Sequence, residues 1–492
     1  MSKIKIGWSE KELLPNGVKV NLAGQFYERI TSDVETPLTV TAIVIDNGED
    51  SMILCSCDLV TVSSALVSDV REVLKNTPEV PSDKVMIHAI HSHTGPDYAK
   101  RADAFDVSNL EILEKFGSEK FEYKKLVEAD DVFRGDEARL YIANQIASAV
   151  VEAWETRKDG KYATAFGRAA VGMCRRVCYD DGSAKMWGDT NMANFTELEG
   201  GNDSGIEILF TFDDDKKLTG VIANVACPAQ VLEHRSFISS DYWGKVKENL
   251  RKEYGKDLFV LGICSPAGDQ CPRDLVRWVE PETPINDPNI VRENVVERIA
   301  DPSMFDLKGC KLIGRRIADE IKYALEDVEN YIDEAVLIHK SMRMDLPIRR
   351  VTIEENNNAV KAIEEFFRNS GDTIDYKDKA DLYIHAGTVA RYESQQTKDL
   401  FNIEVHFIRL GDIAFATNPF ELFLDYGNQM RARSRAKQTF LVQLCCGAGG
   451  YLPTKKAEKG SHYSAYVSSG RTGHIGGEML VRKTLTEINE MF

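Results

Sequence analysis

The stretch Val85-Met-Ile-His88-Ala-Ile90-His91-Ser-His93-Thr94-Gly95-Pro96 runs from an apolar segment straight into a histidine cluster and a Gly-Pro turn. Lys84–Ile90 reads as a strand. Strand side chains alternate, so His91 and His93 are expected on one face and His88 on the other. Two imidazoles at a strand's end suit a metal ion or a substrate group, histidine being the commonest zinc ligand. The same pair could also simply hydrogen-bond within a polar turn. The chain holds only 9 histidines, which makes this concentration informative.

Outward from that strand, further Val-, Ile- and Leu-rich runs lie at Thr41–Asp46, Met52–Cys57, Glu207–Phe212, Gly220–Ala226, Leu258–Cys264, Ala335–Met342, Ile403–Leu410 and Phe440–Cys445. Helical patterns fall between them at Ala65–Lys75, Ala138–Glu155, Lys245–Glu253, Lys311–Val328, Ala359–Phe367, Glu421–Arg433 and Glu478–Asn489. This alternation indicates an α/β fold. No Pro/Gly/Ser-rich linker or internal repeat divides the chain, so a single large mixed α/β domain over 1–492 is expected. The charged segment 97–136 reads as a surface insertion, where loops often sit over active sites.

The 492 residues are 43% hydrophobic and 28% charged, ordinary values for a folded globular protein. A net charge of −17 and the lack of a basic cluster argue against a nucleic-acid partner. Ser9, Glu10 and Lys11 interrupt the N-terminus before any long apolar run, so no export signal is expected. No apolar stretch approaches the roughly 20 residues of a membrane span. The 10 cysteines form no CxxC pairs, which fits reduced thiols in a cytoplasmic protein.

Several catalytic motifs fail. Gly447-Ala-Gly-Gly450 leads into Tyr451-Leu-Pro453 where a dinucleotide-binding helix should open. GxxxxGK[ST], HExxH and GxSxG are absent.

Taken together, Asn21-Leu-Ala-Gly24-Gln25, Thr36-Pro37-Leu38, Cys57-Asp58-Leu59-Val60, Ile90-His91-Ser-His93-Thr94-Gly95-Pro96, Val171-Gly-Met-Cys-Arg175-Arg176, Asn418-Pro419-Phe420-Glu421 and Gly450-Tyr451-Leu-Pro453-Thr454 resemble elements of the neutral/alkaline, non-lysosomal ceramidase family. The likeness runs nearly end to end over that family's N-terminal catalytic domain, without a C-terminal Ig-like domain. It implies one zinc ion per chain, with His91, Glu421 and Tyr451 as ligands and His93 beside the metal or substrate. Tyr463 resembles a second tyrosine that can donate to a developing oxyanion. Taken singly, Glu421 would pass for an acid in a helix's first turn, and Tyr451 for a structural aromatic.

Two positions depart from the pattern. In Asn224-Val-Ala-Cys227-Pro228-Ala-Gln230-Val-Leu-Glu233-His234, Pro228 stands where the family carries a second zinc histidine, and His234 is expected to replace it. In Gly268-Asp269-Gln270-Cys271-Pro272, Cys271 stands for a serine at the reaction centre; it is either a nucleophile or a small buried filler. Arg175 and Arg176 could clamp an anionic or polar substrate, with Gln25 and Asp269 as further substrate-binding candidates and Arg176 a catalytic one. Asp58 could orient a ligand histidine, and Asp241 could cap the helix that follows it.

These features predict a zinc-dependent hydrolase of an amide or related acyl bond in a polar, soluble small molecule or oligosaccharide, with homo-oligomerisation left open. Three competing readings are a glycan-directed metal-dependent hydrolase or lyase, a metal-free Cys271 hydrolase, and a non-catalytic binding module.

Overall fold

The computed structural model describes residues 2–98, 109–126, 129–279, 299–300 and 304–492. Three sheets organise the chain. The first contains β1 (Lys5–Glu12), β2 (Thr39–Asp46), β3 (Ser51–Cys57), β4 (Val85–Ala89) and the short β5 (Lys158–Asp159), in the order β4-β3-β2-β1-β5. The second is β6 (Lys161–Arg168), β7 (Gly205–Phe212), β8 (Leu218–Val225) and β9 (Phe259–Cys264). The third is β10 (Leu337–Pro347), β11 (Leu400–Leu410), β12 (Ile413–Thr417) and β13 (Gln438–Val442).

All three sheets share one plan: antiparallel pairs ending in a single parallel pair, β3/β4, β8/β9 and β12/β13. The parallel strands are the most apolar. Every residue of β3, β4 and β12 is buried, as expected of strands covered on both faces.

Helices cover the outer faces. α1 (Ser64–Leu74) and α2 (Gly135–Glu155) pack on the first sheet, and α3 (Asp241–Tyr254) and α4 (Asp306–Glu326) on the second. α7 (Leu424–Arg433) and α8 (His474–Met491) pack on the third. Ser63 caps α1 by accepting from the Leu66 N–H. α5 (Ile353–Ser370) and α6 (Tyr376–Ser394) form a separate small core with Ile112 and Leu113. Residues 109–126 of the expected insertion thus pack on these two helices, and Glu122–Tyr123 pairs with Thr373–Ile374. Positions 99–108 and 127–128 lie outside the described residues.

The sheets are tied to one another by polar contacts near the C-terminal ends of their parallel strands. Ser56 Oγ donates to the Gly262 carbonyl (2.7 Å), Asn224 Nδ2 to Leu441 (2.8 Å), and the Gln443 N–H to Cys264 (3.3 Å). The loops leaving β4, β8, β9, β12 and β13 are therefore gathered at one place.

Most expected elements appear with shifted ends. β1, β6, β12 and α6 were not foreseen. β12, Ile-Ala-Phe-Ala-Thr, is short and diluted by alanine, and its pairing with β11 and β13 makes it a strand. The helix expected from Glu421 begins at Leu424, because Glu421–Leu422 is instead a short strand paired in parallel with Tyr451–Leu452.

Candidate active site

β4 ends at Ala89, and His91 follows with φ 68°, in the left-handed region. This region is sparsely populated by non-glycine residues and is held only where the surroundings fix it. The turn, not strand alternation, makes His91 and His93 neighbours, with ring centres 4.8 Å apart and edge to face. His91 Nδ1 meets the Val60 carbonyl at 2.8 Å. That orients its Nε2 between His93 Nε2 and a Glu421 oxygen, 3.3 Å from each.

Glu421 arrives from the loop after β12, and its pairing with Tyr451 sets the two side chains side by side. Gly268 permits the close approach: a Cβ there would fall 2.3 Å from the Glu421 carbonyl oxygen. Arg175, buried, donates to the Tyr451 hydroxyl (3.1 Å) and the Gly268 carbonyl (2.9 Å). Burial alone would raise the Glu421 pKa; His91 and Arg175 outweigh it and hold the carboxyl below its ordinary value. Burial raises the Tyr451 and Tyr463 hydroxyls above their ordinary value, which favours their protonated forms. Tyr463 lies edge-on to Tyr451 at 5.6 Å, with Phe26 and Tyr383 beyond it.

His234 does not enter this cluster. It stacks on Phe305 (4.7 Å) and faces Asp306 (3.6 Å), which Arg235 also binds. Its neighbour Glu233 points inward instead, 3.4 Å from His93 Nδ1 and 3.4 Å from Arg273. Burial opposes the Glu233 charge, but His93, Arg273 and Arg175 overcome it and lower its pKa to about 2. Arg29 ties the two loops together, donating to the carbonyls of His93 (2.6 Å) and Glu233 (2.6 Å). Gln25 also donates to the Glu233 carbonyl (3.0 Å) and so serves that loop.

Other expected site residues have structural roles. Arg176 spends its guanidinium on Glu199 (2.5 and 3.1 Å) and the carbonyls of Tyr463 (2.8 Å) and Ser461 (2.7 Å). These bonds tie it to the Tyr463 loop, which it positions. Asp269 accepts from the Leu424 N–H at the start of α7, and its burial raises its pKa to about 6. Asp58 accepts from Thr39, while a backbone carbonyl orients His91. Asp241 sits in the first turn of α3 with φ 55°, and its carboxylate accepts from Leu232 and Tyr242. The Cys271 thiol is fully buried and pushed up to about 11, mainly by burial, which disfavours the thiolate and suits the small buried filler.

A second group, Glu404, His406 and Cys446, has ligand-type atoms within 4.8 Å of one another. Arg71 binds both Glu404 oxygens, and His406 spends one nitrogen on Glu404 and the other on His339, 2.9 Å each. These groups already satisfy one another. The first cluster presents His, carboxylate and phenol groups around the His91 Nε2, and these ligand types are ones that zinc or a similar divalent ion accepts.

Glu233, Arg29 and Arg273 were missed in the sequence. The signal at Glu233 was only its place in the loop that carries the Pro228 departure.

No protein-family profile matches the chain, and no curated protein does. Solved structures do. The neutral ceramidase from Pseudomonas aeruginosa matches with a TM-score of 0.67 over 100% of this chain and 75% of its own, at 15% identity. A ceramidase complexed with C2 matches over the same shares with a TM-score of 0.67, at 13% identity. The chain has the neutral ceramidase fold.

Proposed function

We propose that the chain is a hydrolase that cleaves an amide or related acyl bond of a polar, soluble substrate with the help of one bound zinc ion. The carrying observation is the placing of His91 Nε2, 3.3 Å from both Glu421 and His93, beside a tyrosine held by a buried arginine. The ceramidase fold supports the reaction class. When bound, such an ion polarises the scissile carbonyl and acidifies a water ligand.

The chain's own groups supply the rest. Arg175 places positive charge beside Tyr451 and Glu421, and the protonated Tyr463 hydroxyl can donate to an oxygen that gains charge. The aromatic wall of Phe26, Tyr383 and Tyr463 offers faces for a substrate ring or chain. No helix among the described residues is long and apolar enough to cross a membrane. The 10 free cysteines suit a reducing, cytoplasmic setting.

The test is metal analysis of the purified protein together with a substrate panel of N-acyl amino sugars, N-acyl amino acids and short-chain ceramides. One zinc per chain and turnover of the soluble compounds are expected. A protein that binds no divalent metal, or that turns over only ceramides, overturns the proposal.

A further inference from the structure

We propose that His93, positioned by Glu233, is the second imidazole ligand of the ion at His91, in place of the histidine that Pro228 cannot supply. This rests on the metal-dependent reading above. The Val60 carbonyl can only accept, so His91 Nδ1 carries the ring proton and Nε2 presents a bare lone pair. His93 Nδ1 is buried 3.4 Å from a Glu233 oxygen without a formed hydrogen bond, and a proton on that nitrogen would face an acceptor and leave Nε2 free for an ion. The two Nε2 atoms lie 3.3 Å apart, with a Glu421 oxygen 3.3 Å from His91 Nε2.

Both Nε2 atoms and the Glu421 oxygen are largely shielded from water, and acceptors facing one another there need a proton or a cation between them. Unpaired acceptors are costly there, and a shared cation removes the cost. Two ligands about 2.05 Å from a tetrahedral ion stand about 3.3 Å apart, the separation between the His91 and His93 Nε2 atoms; Glu421, 3.3 Å from His91, would close toward His93 around the ion. A carboxylate on the outer nitrogen of a metal-binding imidazole is the usual way its ring is oriented.

The fold holds His93 in this pose. Gly24, with φ 94°, forms the floor beneath its ring, where a Cβ would fall 2.5 Å from Cγ. Arg29 fixes the His93 and Glu233 backbones to each other. His234 is committed to Phe305 and Asp306 on the other side of its loop.

The test titrates zinc into the metal-free full-length protein against a chromophoric chelator, with cobalt(II) absorption as a second readout. Wild type should bind one zinc. His93→Ala and His93→Gln should each weaken it by about 100-fold or more and alter the cobalt spectrum. Glu233→Ala should weaken it about 10–100-fold. Glu233→Gln, whose amide oxygen can accept from Nδ1, should recover part of the loss, and His234→Ala should bind like wild type. Wild-type affinity in both His93 variants, or loss of zinc in His234→Ala, overturns the assignment while leaving the metal-dependent reading intact. Absence of zinc from the wild type would instead remove both.

Discussion

Arg176 and Glu199 meet in a fully buried two-pronged ion pair, 2.5 and 3.1 Å, and the same guanidinium holds the Tyr463 carbonyl. Breaking a buried pair from one side leaves an uncompensated charge and costs about 3–5 kcal/mol. Arg176→Met should lower stability by that order and reduce activity through displacement of Tyr463. Denaturant unfolding with parallel steady-state kinetics checks both.

Glu421→Gln keeps the shape of the side chain and removes its charge beside His91. Zinc content should fall sharply and activity by about 100-fold or more, since carboxylate ligation is lost. Chelator treatment of the wild type should abolish activity, and added zinc should restore it.

Cys271 should be dispensable. With its thiol fully buried and pushed up to about 11, little thiolate exists at neutral pH. Cys271→Ala should retain activity within a few-fold, and native protein treated with iodoacetamide should keep its kcat; loss of activity in both experiments would restore the thiol-nucleophile reading.

Gly24→Ala drives a methyl into the His93 ring and imposes a φ of 94° on an L side chain. A strain of order 1–3 kcal/mol is expected. kcat/KM should fall by 10-fold or more as His93 shifts, about 1.4 kcal/mol of lost transition-state binding. A thermal-unfolding scan should show a lower Tm.

Asp241 supplies a pH signature. Burial raises its carboxyl from 3.8 to about 7, partly opposed by the Leu232 and Tyr242 N–H groups. The folded chain therefore keeps a proton that the unfolded chain has released, and stability declines as pH rises from about 4 to about 7. Asp241→Asn should flatten the slope over that window, measurable from denaturation midpoints at successive pH values.

The sequence by itself determined the α/β alternation, because buried parallel strands read as unbroken apolar runs, and it marked His91 and His93 as a pair. Glu421 and Tyr451 followed only from resemblance, since 30 residues separate them and nothing local distinguishes either from a helix acid or a packing aromatic. Only the tertiary structure decided the roles of Glu233 and His234. Adjacent residues in an irregular loop can point in opposite directions, and Arg29, Arg273 and Phe305, all distant in sequence, fix which one faces His93. The same holds for Arg175 and Arg176: pairing of Met173–Cys174 with Gln270–Cys271 delivers Arg175 to Tyr451, while Glu199 claims Arg176. Side-chain chemistry is written in the sequence; its direction is set by the long-range contacts that fold the loops together.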